Sequence, residues 1–247
     1  MGSIESELLV LTCGDPSRER WFPDHGRRRV AALDGVPAVA LPARPGRAEL
    51  DPVFAEHDPR RIVVHGCDAD LAAVLLRLLR SGQLDVEVAY VPAEHRSAAA
   101  AVWGMPGGSG AAALAVAGTA APVPLVRDDT GGVLVGRGEI RDLHGECYCD
   151  DVLVLRGTAP RLVVTPRPEG VAVRAGRGSR SPDGHTRAVA AAARSGTGSA
   201  LGRAVQVGGT AFTATSDGVA HPRPLERRTW YRHTTDWLLV RPGPHTP

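Results

Sequence analysis

Gly66-Cys67-Asp68-Ala69-Asp70 offers one glycine and two carboxylates at a junction where chemistry on a phosphate is most easily built. The apolar run Arg61-Ile62-Val63-Val64-His65 before it reads as a buried parallel strand that stops at Gly66. After it, Leu71, Val74, Leu75, Leu78 and Leu79 recur at i, i+3, i+4, i+7 and i+8, an amphipathic helix with Asp70 at its N-cap and Ser81-Gly82 closing it. Free N–H groups and the positive end of a helix dipole meet at such a junction, so it suits an anion. A second loop, Pro92-Ala93-Glu94-His95-Arg96-Ser97, repeats the arrangement between a strand over residues 86–91 and an alanine-rich helix over 97–103. His65, His95 and Arg96 could add positive charge there, although loop cations of this kind are more often solvated. Farther on, Thr215-Ser216-Asp217-Gly218-Val219 presents a third carboxylate in a dipeptide, Asp-Gly, that usually makes a turn.

The elements that must position these loops alternate strand, helix, strand, helix. Short strands at residues 8–11, before the turn at Cys13-Gly14-Asp15-Pro16, and at 36–41 precede them. Such alternation implies right-handed crossovers and a parallel sheet, with any ligand at the carboxyl ends of the strands. After Gly118 the pattern changes to short strands separated by Gly and Pro. Residues 152–156 make one candidate strand, and 162–165 with 171–174 flank a longer loop, Pro166-Arg167-Pro168-Glu169-Gly170. Val205, Val207, Phe212 and Ala214 alternate around Gly208-Gly209, which predicts a tight hairpin. A short helix is expected over 188–194, and a last strand over 237–240 is stopped by Pro242. The fold class is therefore α/β: a Rossmann-like domain with a parallel sheet over residues 1–122, then an antiparallel, β-sandwich-like domain over 123–247 whose last strand can return to the first.

Composition narrows the chemistry. The chain has 247 residues, 43% hydrophobic and 23% charged, which is ordinary globular usage, while 29 Gly and 20 Pro predict many turns. There is no Lys and no Asn; all 29 basic residues are Arg. Mechanisms that need an amine, among them the P-loop lysine, the kinase strand lysine and Schiff-base formation, are thereby excluded. A net charge of +2 and 4% aromatic content give no reason to expect nucleic acid. No apolar run approaches the roughly 18 residues of a membrane span, and the acidic N-terminus, with Glu5 and Glu7, is unlike a signal peptide, so a cytoplasmic location is expected. Cys13, Cys67, Cys147 and Cys149 show no zinc-type spacing; the last two with His144 could hold a metal, but isolated cysteines more often behave as small hydrophobes, and no metal site is expected. Arg27-Arg28-Arg29 and Arg227-Arg228 could meet a lipid or membrane surface, yet short charge runs are usually solvated faces. Trp230, Tyr231 and Trp237 are read as core residues of their strands.

On these residues the chain resembles the diacylglycerol kinase catalytic-domain family, bacterial lipid kinases related to the NAD kinases. The family's Gly-Gly-Asp-Gly-Thr turn falls on Gly66, Cys67, Asp68, Ala69 and Asp70. Its Pro-x-Gly-Thr-x-Asn-Asp loop falls on the stretch from Pro92 through Glu94, His95, Arg96, Ser97 and Ala98, with Gly104 and Pro106 in register. Its Asp-Gly-Glu strand end falls on Asp217-Gly218-Val219. The resemblance implies binding of ATP and Mg²⁺ at the two loops and a carboxylate base acting on a lipid hydroxyl.

The functional letters are nonetheless eroded. Cys67 and Ala69 replace flexible glycines, a cost of about 1–2 kcal/mol each if the turn needs φ > 0. Asp70 replaces the hydroxyl residue and would repel a phosphate by roughly 4 kcal/mol at about 4 Å near a surface. Glu94 replaces a glycine, Ser97 and Ala98 the Asn-Asp pair, and Val219 the base, leaving Asp217 as the one carboxylate able to substitute. The expectation is a diacylglycerol kinase-like protein that is catalytically degenerate, a pseudoenzyme on a lipid-kinase scaffold with weak ligand binding at most. An active ATP-dependent lipid kinase and a partner-binding scaffold are the alternatives.

Overall fold

A computed structural model describes residues 8–14, 33, 35–176 and 198–243. The arginine run 27–29, Asp15-Pro16 and the helix expected over 188–194 lie outside the described residues. The chain divides into two compact units, Met1–Val123 with Thr235–Pro247, and Pro124–Thr234.

The first unit runs β1 (Leu8–Cys13), β2 (Ala38–Leu41), α1 (Arg47–His57), β3 (Arg61–Gly66), α2 (Asp68–Ser81), β4 (Glu87–Pro92), α3 (Ala98–Trp103), α4 (Gly108–Ala117) and β5 (Thr119–Val123). The second carries β6 (Val126–Asp128), β7 (Val133–Leu134), β8 (Gly138–Cys149), β9 (Val152–Arg167), β10 (Gly170–Ala175), β11 (Ser199–Gly202), β12 (Ala204–Phe212), β13 (Ala214–Ser216), β14 (Val219–Ala220) and β15 (Leu225–Arg232). The chain then returns to the first sheet as β16 (Trp237–Arg241).

That first sheet has the order β2-β1-β3-β4-β16-β5, parallel except for β5 against β16. Ile62, Val63 and Val64 of β3 are wholly buried, as a strand covered on both faces requires. α2 buries Leu71, Val74, Leu75 and Leu78 and ends on Gly82 at φ 74°, a left-handed cap that glycine adopts without a Cβ clash. Neither α1 nor α4 is signalled by an apolar period. α1 contains Pro52 and buries only Leu50 and Phe54, while α4 is a Gly/Ala helix whose Ala111, Ala112 and Ala115 lie against Ala89, Val91 and Val240. Small side chains let α4 approach the sheet closely. Arg61 fixes its end by donating to the carbonyls of Ala115, Val116 and Gly118 at 2.9–3.0 Å while pairing with Glu87.

In the second unit one antiparallel sheet, ordered β11-β10-β9-β8-β12-β15-β6-β7 with β13 also on β8, folds over a single core. Val171 and Val173 from one end of that order and Val126 and Leu134 from the other join Val205 and Trp230 there. The hairpin expected at Gly208-Gly209 is not formed: both glycines lie inside β12, opposite Glu146 and Gly145 of β8. Gly209 and the facing Gly145 are needed for proximity, since a Cβ on either would collide with the opposite backbone, whereas one on Gly208 would not. The loop at Pro166–Gly170 shrinks to Pro168-Glu169, because Arg167 pairs with Gly170. Arg228 is likewise no solvated residue. It is 3% exposed, bonded to Asp128 at 2.6 Å and to Thr130 at 2.7 Å, and its guanidinium lies 5.3 Å from the Trp230 ring centroid.

Trp230 and Trp237 fill the cores of their own units. Cys147 and Cys149 also point into the core, where burial pushes the Cys147 thiol up to about 12. Among the described residues no group of three or more His, Cys, Asp or Glu is placed to hold a metal ion. No described helix is long and apolar enough to cross a membrane.

Candidate functional site

The parallel register sets Gly66 beside Pro92, so the loops after β3 and β4 lie together at the carboxyl edge of the sheet, with Ala93 N–H donating to the Gly66 carbonyl at 2.9 Å. Two carboxylates organise this edge, and both are turned inward on the protein's own donors.

Asp70 does not cap α2. The helix begins earlier, Cys67 takes the cap position with φ −85° and ψ 173°, and Asp70 is the third helical residue. Its carboxylate reaches back to accept from the Cys67 N–H at 2.8 Å, one half of a capping box, and from the Arg44 N–H at 2.6 Å. It is 2% exposed. Gly66 is needed for this fold-back, because a Cβ there would stand 2.7 Å from Asp70 Oδ2. The turn asks for no left-handed residue: Cys67 is extended and neither Asp68 nor Ala69 has positive φ. The strain expected from replacing glycine at Cys67 and Ala69 therefore does not arise.

Asp68 joins the two loops. Its Oδ1 accepts from the Tyr90 hydroxyl at 2.9 Å and the Ser97 hydroxyl at 2.5 Å, and its Oδ2 from the Ala98 and Ala99 N–H groups at 2.8 and 3.2 Å. Ser97 in turn caps α3 by accepting from the Ala100 N–H at 2.8 Å. Burial, together with the Asp68 charge, pushes the Tyr90 phenol well above its usual range. Burial likewise raises the thiols of Cys13 and Cys67 to about 12 and about 11, with Asp70 adding to both, so neither is a ready nucleophile at neutral pH.

Glu94, His95 and Arg96 are exposed at the tip of the second loop, and Pro92 is half-buried at the end of β4. Asp217 belongs to the second unit. With φ 48° and followed by Gly218 at φ 82°, it forms the two-residue turn joining β13 to β14, and its carboxylate accepts the N–H groups of Val135, Gly136 and Arg137 at 2.8–3.0 Å. Tyr90 and the Arg44 backbone are the participants that sequence reasoning missed. A tyrosine among the aliphatic residues Val88, Ala89 and Val91 of a covered strand was the available signal for the first; nothing signalled the second.

These contacts predict that Asp70→Ala lowers stability by about 2–3 kcal/mol in urea unfolding, because two N–H donors beside the sheet edge lose a charged acceptor.

No protein-family profile matches the chain, and no curated protein matches it. Solved structures do. A candidate diacylglycerol kinase from Bacillus anthracis str. Sterne superposes at TM-score 0.65 and 12% identity over 98% of this chain and 99% of its own. A second candidate gives 0.64 and 11%, and a diacylglycerol kinase from the same organism 0.63 and 10%, each over 99% of this chain and 100% of its own. Over nearly its full length, this chain has the two-domain fold of those diacylglycerol kinase structures.

Proposed function

We propose that the chain is a diacylglycerol kinase-like protein that keeps the scaffold and has lost phosphoryl transfer. The observation that supports this reading is that Asp68 and Asp70 occupy N–H groups at the edge where the resemblance puts the ATP phosphates. Cys67 and Arg44 donate to Asp70, and Ala98 and Ala99 to Asp68, so these four N–H groups already face carboxylate oxygens and are not free for a phosphate. Adding a polyanion there sets like charges side by side in a partly dry site.

The residues present do not fit ATP with Mg²⁺. No lysine exists, and the cations of the second loop, His95 and Arg96, stand exposed at its tip. Asp68 directs both oxygens to O–H and N–H donors, Asp217 does the same with three backbone N–H groups, and Val219 cannot take a proton. We derive no transfer step through these groups.

Calorimetric titration of the full chain with ATP and Mg²⁺ tests the reading. Binding is expected to be weaker than the low micromolar range, and a low micromolar Kd would overturn it. A transfer assay with labelled ATP and diacylglycerol is expected to give no product above background. Product that disappears in Asp68→Ala or Asp217→Ala would instead establish a working lipid kinase.

A further inference from the structure

We propose that the groove between the C-terminal ends of α1 and α2 is a binding site for a small zwitterion, a free amino acid with an aliphatic side chain. The inference stands on contacts within the first unit and is independent of whether the phosphate edge binds nucleotide.

α2 starts where β3 ends and stops just before β4, so its 14 residues, about 20 Å of helix, carry the chain from the phosphate edge to the opposite edge of the sheet. α1 makes the same return before β3. Asp58 stands three residues before β3 and Gln83 four before β4, and the register that sets Arg61 beside Glu87 brings these two helix ends together. A groove of about 390 Å³ lies between them, lined by Asp51, Phe54, Ala55 and Asp58 from one element and by Arg77 and Gln83 from the other. That volume suits a small molecule.

Arg77 is the part of the lining that seeks an anion. Its Nε donates to one oxygen of Asp51, whose other oxygen takes Arg47 Nε at 3.2 Å, so both oxygens of that carboxylate are engaged. The Arg77 side chain is held at 19% exposure, and neither of its terminal nitrogens has a partner among the described residues. A guanidinium fixed in this way offers its remaining donors to a carboxylate at little cost in ordering. Gln83 is bonded through one side-chain atom to Ser81 Oγ at 2.6 Å, and its other polar atom is unengaged among the described residues.

Asp58 seeks the opposite charge. It caps α1 in the left-handed conformation, φ 40°, with its N–H returned to the Phe54 carbonyl, and its exposed carboxylate has no partner among the described residues. Two helices end here, at Asp58 and at Gly82, and the carbonyl oxygens and negative dipole poles of both ends favour a cation. The two halves together select the ligand: a simple anion would meet Asp58 and a simple cation Arg77, whereas a zwitterion satisfies each. Phe54 and Ala55 line the rest with apolar surface, which suits an aliphatic side chain and no third charge.

The test is calorimetric titration of the full chain with alanine, valine and leucine, with amide ¹H–¹⁵N spectra to place the ligand. Saturable binding at millimolar concentrations is expected, with shifts centred on Asp58 and Gln83. N-acetylleucine, which lacks the ammonium, and leucinamide, which lacks the carboxylate, should each bind about ten-fold more weakly than leucine. Asp58→Asn keeps a residue that tolerates the left-handed cap, so the melting temperature should hold while leucine binding falls about ten-fold and N-acetylleucine binding does not fall. Arg77→Gln leaves Asp51 its bond to Arg47 and should weaken leucine by about the same factor without affecting leucinamide. No saturable binding at tens of millimolar, shifts centred on the loops after β3 and β4, or equal binding of free and blocked leucine would each overturn the proposal. So would variants that weaken leucine and both blocked forms alike, since that is the mark of a structural role alone.

Discussion

Replacing Asp68 by alanine is expected to lower the unfolding free energy by about 3–5 kcal/mol, the largest loss for any single residue of the sheet edge. One carboxylate there accepts from two side-chain hydroxyls and two N–H groups on three elements, β4, the loop after it and α3. Removing it leaves the Ala98 and Ala99 N–H groups without an acceptor and removes the anion that favours the start of α3. The Tyr90 hydroxyl can turn to the Gly66 carbonyl, 3.2 Å away, so its loss is partly recovered.

Asp68→Asn separates the structural reading from a catalytic one. Asparagine has the same shape but only one acceptor oxygen, so its NH₂ must face either the two hydroxyls or the two N–H groups. The hydroxyls can accept from that NH₂ while the remaining oxygen keeps the two N–H groups, so the structural role predicts that Asn loses mainly the charge and costs about 1–2 kcal/mol, well short of Ala, read by urea unfolding with unchanged m-value. A residue serving nucleotide alone would let Asn keep the fold and lose only turnover. The first outcome is the expected one, because all four partners belong to the chain itself.

The parts of this fold that sequence made legible are those whose stability comes from a repeated apolar pattern. β3 and α2 declare themselves because Ile62 to Val64 and Leu71 to Leu78 have the periods of a covered strand and of an amphipathic helix, and both are buried as those periods require. α4 has no such contrast: Ala111, Ala112 and Ala115 are buried while the rest of the helix is Gly, Ala, Leu114, Val116 and the single polar Ser109, so no polar face marks its period. In α1 the interior Pro52 reads as a breaker, because at the sixth helical position it forgoes a bond to the Ala48 carbonyl, yet the helix runs on to His57 with Leu50 and Phe54 buried.

The site was legible in position and misread in detail. Two acidic residues two apart, Asp68 and Asp70, can each belong to a helix start, either as cap or as the third-residue partner of a capping box. Local sequence does not choose between these, and the choice falls to tertiary contacts: Asp68 is drawn to Ser97 and α3, Asp70 to Arg44. Gly208-Gly209 fails for a similar reason, since a glycine pair serves a turn or a close strand approach equally well, and only the facing Gly145 decides.

Asp128→Ala should cost a further unit of comparable size, about 3–5 kcal/mol, in the second unit. Arg228 is 4% exposed at its side chain and its terminal nitrogens are met by Asp128, Thr130 and, at 3.3 Å, Ser216. Asp128 also accepts from the N–H groups of Thr130 and Gly132, so the same carboxylate shapes the turn between β6 and β7. Taking it away leaves a guanidinium in the core that cannot lose its proton, with only the more distant Asp129 at 3.5 Å, itself partly in water, to offset the charge. Removing both partners should hurt less than removing the acid alone, because Asp128→Ala/Arg228→Met buries no unpaired charge. A double-mutant cycle by thermal and urea unfolding measures the difference. If Asp128→Ala proved no worse than the double variant, Arg228 would have to reach solvent when its partner is lost, and the buried pair would not be what holds this end of the sheet.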